Sequence, residues 1–179
     1  MDEIKFYGLG GQGVVMASQM LGFAFFKGGF YPQCFSVFGG ERRGAPVVSF
    51  LRVDQEKILL KCGIKHPNEM VYLDESLIEP LEVKSLMKSD GKILINSRQP
   101  TGAFKPLHSF RLGLVDARAI SEQQGLGHTF NTAILGAYCR LAGKPSLEVL
   151  LASIEEMVPA KKKKNLAAAR QAYEQLETN

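Results

Sequence analysis

The 179-residue sequence has no tryptophan, only three cysteines, no long uninterrupted apolar run and nearly balanced charges. Each shortage excludes something. Cys34, Cys62 and Cys139 lie far apart in unrelated contexts, so there is no CxxC run for zinc or an iron–sulfur cluster and no disulfide framework. A reducing, cytoplasmic setting is expected. The weakly polar stretch from Val14 to Phe26 is too short and interrupted to cross a bilayer, and Met1-Asp2-Glu3-Ile4-Lys5 has no basic leader region. The expectation is a chain neither exported nor membrane-embedded. Lys and Arg number 22 against 18 Asp and Glu, a net charge of +4. That bias is weak. Lys161 to Lys164 read as a solvated helix start, and no aromatic and basic residues interleave as in an RNA-binding sheet, so no nucleic-acid partner is expected. His66, His108 and His128 lack spaced partners, and no metal site is predicted.

What remains is 45% hydrophobic with 18 glycines. A single domain of this size buries roughly 70% of its unfolded surface and needs no staple. Ile4 to Gly8 reads as a strand, and Met16, Met20 and Phe23 with Leu21 and Ala24 give helical spacing from Val14 to Lys27. Tyr31–Val37 and Val47–Val53 are strand candidates, with Ile58-Leu59-Leu60 as a short continuation pairing back as a hairpin. Met70–Leu73 and Ile93–Ile95 are compact apolar runs suited to buried parallel strands, and Leu112–Asp116 is the last strand candidate. Helices are predicted over Glu75–Met87, Ala117–Gln124, Asn131–Leu141, Leu147–Met157 and Lys161–Leu176. The alternation predicts one α/β, Rossmann-like domain over residues 1–179, its mostly parallel sheet flanked by helices.

Gly8-Leu9-Gly10-Gly11-Gln12-Gly13 matches G-x-G-x-x-G between a strand and a helix. Glycines there let the main chain approach a ligand, and free N–H groups at the helix start attract a phosphate or carboxylate. The acid that should hold a ribose roughly 20 residues on is missing, because Gly28 to Val37 contain none. Ordinary NAD binding is disfavoured. Gln12 adds an amide that both donates and accepts. Glu41, Arg42 and Arg43 sit between glycines in Phe38–Pro46, after a strand, where an arginine is placed to grip an anion with two bonds or simply to pair with Glu41. Asn96 either reaches the crevice at a strand end or caps a turn; Asn131 either caps its helix or contacts a neighbour. No residue is assigned a catalytic role.

The glycine loop followed by Phe38-Gly39-Gly40-Glu41-Arg42-Arg43-Gly44-Ala45-Pro46, then Asp90–Ser97 and Asn131–Ala137, resembles the gamma subunit of 2-oxoacid:ferredoxin oxidoreductases of the pyruvate and ketoisovalerate type. The resemblance covers most of the chain. It implies a part of an enzyme, inactive alone, that joins alpha and beta, and in some complexes delta, subunits. Such complexes convert a 2-oxoacid, coenzyme A and oxidised ferredoxin to acyl-CoA, carbon dioxide and reduced ferredoxin. Thiamine diphosphate and [4Fe-4S] clusters then belong to partner subunits, coenzyme A is a co-substrate, and this chain holds no cofactor firmly. The resemblance also implies an apolar patch left exposed on the isolated chain. The residues expected to bind ligand or interface are Gly8, Gly10, Gly11, Gln12, Gly13, Glu41, Arg42, Arg43, Asn96 and Asn131. A free-standing nucleotide- or phosphate-binding protein is the alternative.

Overall fold

Ile4, Phe6 and Gly8 alternate with Lys5, Tyr7 and Leu9, and this period of two builds β1 (Asp2–Leu9), with the first set buried. The computed structural model describes residues 1–38 and 44–179. β1 runs parallel to β4 (Glu69–Tyr72), which continues through β5 (Lys92–Asn96) and β6 (Arg111–Val115). These short strands are buried almost throughout, as strands covered on both faces must be. On its other side β1 pairs antiparallel with β3 (Pro46–Asp54), which pairs antiparallel with the edge strand β2 (Tyr31–Phe38). β7 (Glu177–Thr178) closes the opposite edge against β6. The sheet therefore has a parallel core with antiparallel strands at both edges, in the order β2-β3-β1-β4-β5-β6-β7.

Two cores follow from the two faces. Ile4, Phe6, Leu51, Val71 and Leu94 face α1 (Val14–Lys27), α4 (Asn131–Ala142), α5 (Leu147–Met157) and α6 (Lys162–Glu174), with α3 (Ala117–Gln123) at the rim. Met70, Tyr72, Ile93, Ile95, Leu112 and Leu114 face α2 (Pro80–Leu86) and the 3-10 stretch Thr101–Leu107. The chain thus leaves β1 toward one face and leaves β4 toward the other, opening a crevice between their carboxyl ends.

Two expectations need correction. The helix over Glu75–Met87 divides into a 3-10 turn, Glu75–Leu77, and α2. Pro80 is the cause: it suits the first position of a helix, while the preceding Glu79 is driven into extended backbone. Ile58-Leu59-Leu60 forms no strand. Gln33 Nε2 donates to Leu60 O at 2.7 Å and Arg52 Nη1 to Cys62 O at 2.8 Å, so side chains take the carbonyls that strand pairing needs.

Candidate functional site

At the end of β1, Gly10 N donates to Ala45 O at 2.8 Å and Gly44 N to Gly10 O at 3.2 Å, which extends the β1–β3 pairing into the glycine loop. Gln12 N donates back to Leu9 O, closing a turn. Gly8 lies beneath this turn, beside Val14, Gln12 and Leu73. Gly13 caps α1 in the left-handed region at φ 78°, a conformation that strains any residue bearing a Cβ. A Cβ there would also stand 3.1 Å from Asn131 Nδ2. Asn131 is the first residue of α4, so the starts of α1 and α4, both with N–H groups facing outward from the helix, meet at Gly13.

Asn131 does not cap α4 in the expected way. Phe130 occupies the cap position, and Asn131 Oδ1 accepts from Thr132 N at 3.0 Å, leaving its amide toward Gly13. Thr132 Oγ1 donates to Asn165 Oδ1 at 2.9 Å, and Asn165 Nδ2 donates to Lys161 O, which ties the start of α4 to the start of α6. Gln12 is also committed within the fold. Its Oε1 accepts from Leu9 N at 2.7 Å and its Nε2 donates to Asp74 Oδ2 at 2.6 Å, latching the glycine loop to the end of β4. Asn96 donates to Leu73 O and accepts from Ala117 N, both within the fold, joining the ends of β4, β5 and β6. Glu41, Arg42 and Arg43 lie outside the described residues.

Beyond the latch, the ends of β4, β5 and β6 border an open cleft of about 420 Å³ lined by Asp74, Glu75, Asn96, Arg98, Asp116 and Arg118, among others. Asp116 Oδ1 caps α3 through Ala119 N, and its Oδ2 accepts from Arg98 Nε at 2.9 Å. Arg118 stands over the Phe130 ring. Sequence reading passed over Asp74 and Asp116. The available signal was an aspartate directly after an apolar strand run, Tyr72-Leu73-Asp74 and Leu114-Val115-Asp116, followed by a helical segment.

Burial acts to raise the Asp74 carboxyl, but hydrogen bonds from Ser76 and Gln12 outweigh it and hold the group below its ordinary value of 3.8. A carboxylate so depressed stabilises the fold above its unfolded value and loses that contribution as pH falls through the lower folded value. Wild-type stability is therefore expected to drop below about pH 4 more steeply than that of Asp74→Asn, with parallel curves from pH 5 to 8. Denaturation midpoints across pH test this; identical acid limbs would remove the latch from the account.

Among the described residues, no group of His, Cys, Asp and Glu is arranged to hold a metal ion. No described helix is long and apolar enough to cross a membrane.

Fold and crevice together define a Rossmann-like α/β domain whose switch point presents a glycine loop and two helix starts. Residues 3–175 match the model of the pyruvate ferredoxin/flavodoxin oxidoreductase family, and the chain belongs to that family. It is 40% identical over 178 residues to the pyruvate synthase subunit PorC of Methanothermobacter marburgensis, covering 98% of each chain. With the pyruvate/ketoisovalerate oxidoreductases common subunit gamma of Pyrococcus abyssi it shares 41% identity over 182 residues, covering 97% of this chain and 96% of the relative. The crystal structure of the pyruvate oxidoreductase subunit PORC from Thermotoga maritima superposes with a TM-score of 0.86 at 31% identity, over 99% of this chain and 98% of that one. The resemblance to gamma subunits noted from the motifs is thereby confirmed.

Proposed function

We propose that residues 1–179 act as one gamma-type domain in a complex with alpha and beta, and in some assemblies delta, subunits, and that the complex oxidises a 2-oxoacid with coenzyme A and ferredoxin. In this reading the chain works in the cytoplasm, has no activity alone and supplies a binding surface for coenzyme A. The observation that carries the coenzyme A assignment is the meeting of the α1 and α4 starts at Gly13, beside the Asn131 amide. Two sets of outward N–H groups and a side-chain amide suit the diphosphate of coenzyme A, and each helix start favours negative charge by roughly 0.3–1 kcal/mol. Arg42 and Arg43, which precede Gly44 in sequence, are proposed as further phosphate partners. Gln12 and Asn96 would act indirectly, by holding the loop and the strand ends in place.

The implied iron–sulfur clusters do not fit the described part of this chain. Cys34, Cys62 and Cys139 are free and belong to β2, a loop and α4. Cys34 is exposed as a residue, but its sulfur packs toward Gly22 and Ser18 O, and that local desolvation pushes the thiol up; burial followed by the Glu148 charge pushes the buried Cys139 up as well, the opposite of what a thiolate ligand requires. In this reading the clusters and thiamine diphosphate belong to the partner subunits, where they would supply electron transfer and 2-oxoacid decarboxylation chemistry; this chain's residues would orient the coenzyme A phosphates.

The test uses the assembled complex. Gly13→Ala is expected to raise KM for coenzyme A at least about tenfold, the equivalent of 1.4 kcal/mol, with KM for the 2-oxoacid unchanged. An assembled variant complex with wild-type KM for coenzyme A would refute the assignment.

A further inference from the structure

The two faces of the sheet are covered unequally. On one, α1 seals the half formed by β1, β3 and β2, through Ile4, Phe6, Leu51 and Val53. On the other, the core built by α2 and the Thr101–Leu107 stretch reaches Tyr7 at its margin. Past Tyr7 the register continues to Val48 and then Val37, and one step along the strands from Lys5 to Phe50 and Phe35. Phe50 is buried beneath Phe35, which stacks on it at 4.8 Å, and the Lys5 ammonium, which lies over both the Phe50 and Tyr7 rings; Phe35 and Val48 are partly exposed and Val37 is 58% exposed.

The loop after β3 borders this face and adds to it. Leu59 is 79% and Leu60 45% exposed, adjacent leucines that burial would ordinarily remove from water. They are not presented by a slack segment. Gln33 holds Leu60 O, Arg52 holds Cys62 O, and Ile64 is buried beyond them. Arg52 is itself 1% exposed and balanced by Glu3 Oε1 at 3.1 Å, with Lys88 3.6 Å from the other oxygen of Glu3. Burying a guanidinium is costly, and here it fixes the backbone of a loop whose leucines face solvent. A held apolar surface loses little conformational freedom on docking. The charge around it is mainly positive: Lys57, Lys61 and Lys65 are exposed on the loop against the acid Glu56, and Lys5 lies on the sheet face with the exposed Glu82 near enough to act on it.

From this combination we infer that the outer face of β2 and β3, together with Leu59 and Leu60, is the surface on which this chain docks a partner subunit, and that the partner presents an apolar centre rimmed by carboxylates. The inference rests on the oxidoreductase-subunit reading for the existence of that partner. The geometry accounts for the choice of chemistry: Phe35, Val37, Leu59 and Leu60 supply apolar surface that excludes water, while the loop lysines select an acidic surface and speed encounter with it. It also gives a purpose to the exposed apolar patch, which an isolated chain leaves wet.

Two measurements on the native complex test this. First, Leu59→Ser/Leu60→Ser and, separately, Lys57→Glu/Lys61→Glu are introduced into the tagged chain and the complex is isolated by gel filtration. Both variants are expected to keep the wild-type circular dichroism and melting temperature, because all four side chains are exposed, and to retain at least tenfold less partner subunit. Second, maleimide labelling of the exposed Cys62 is followed by mass spectrometry in the isolated wild-type chain and in the complex. At least tenfold slower labelling in the complex is expected. Full retention of partners by both variants with equal labelling of Cys62 would overturn the docking face while leaving the subunit reading intact. Should the leucine variant convert a dimer of the isolated chain to monomer yet enter the complex normally, the occupant is a second copy and the proposal is wrong. Failure of the wild-type chain to co-purify with any thiamine-containing partner would instead overturn the subunit reading.

Discussion

Gly136→Ala is expected to cost about 3 kcal/mol or more of folding stability. The Cβ of the new residue would lie 1.9 Å from Ala169 O and 2.7 Å from Ala169 C, and both are main-chain atoms of α6. A flexible side chain turns aside; a helix backbone does not. Relief requires α4 and α6 to separate, and this is the most extensive helix pair in the fold, lined by Ala133, Ala137, Ala169 and Ala172, all fully buried. Small residues on both helices permit the close approach, and separation would open voids along the whole contact. Overpacking a core costs typically 1–3 kcal/mol, and a collision with backbone belongs at or beyond the top of that range. Against a total stability of roughly 5–15 kcal/mol this is a large share. Gly102→Ala is the control, since no atom lies within 4 Å of its Cβ position, and it is expected to stay within about 0.5 kcal/mol of wild type. Chemical denaturation of the two variants side by side decides the matter; equal stability would mean that the helices are not packed as described.

Lys92→Met is expected to cost about 3 kcal/mol. Glu69 begins β4 only 4% exposed, directly opposite Lys92 on β5, whose ammonium lies 3.1 Å from Glu69 Oε1 and also donates to Ala142 O. Tyr138 from α4 donates to the other carboxylate oxygen. Burial, and then the Glu69 charge, drive the Tyr138 phenol well above its usual range, so it remains a donor at any working pH. Without the lysine, a nearly buried carboxylate keeps a single neutral partner. Breaking such a pair typically costs 3–5 kcal/mol, and the lower end applies because Lys92 is 26% exposed. The triple variant Lys92→Met/Glu69→Leu/Tyr138→Phe removes every member and is expected to recover most of the loss. A single variant no less stable than the triple would show that the cluster is solvated rather than buried.

These two sites differ in how far the sequence disclosed them. Gly136 stood in a recognised segment, but nothing local to Asn131–Leu141 specifies that it touches Ala169. Glu69 and Lys92 drew no attention, because each is an ordinary charged residue flanking a short apolar run, and only the parallel register of β4 and β5 sets them opposite one another. The same limit applies at the crevice. The glycine loop was readable from its spacing between a strand and a helix, whereas the Gln12–Asp74 latch joins residues 62 positions apart. The loop at Leu59–Leu60 departs from the expected strand for a related reason: its apolar run suits a strand, and the side chains that divert it, Gln33 and Arg52, come from β2 and β3.

The sequence by itself determined the kind of element at most positions, the single α/β domain, the glycine turn and the family, because periodicity, glycine placement and ordered motifs are properties of neighbouring residues. Only the tertiary structure decided that β3 separates β1 from β2, that α1 and α4 start at one point, and that Leu59 and Leu60 stand exposed on a loop held by Gln33 and Arg52. Those facts depend on which surfaces bury one another across the whole chain, and burial is a long-range choice that local pattern leaves undetermined.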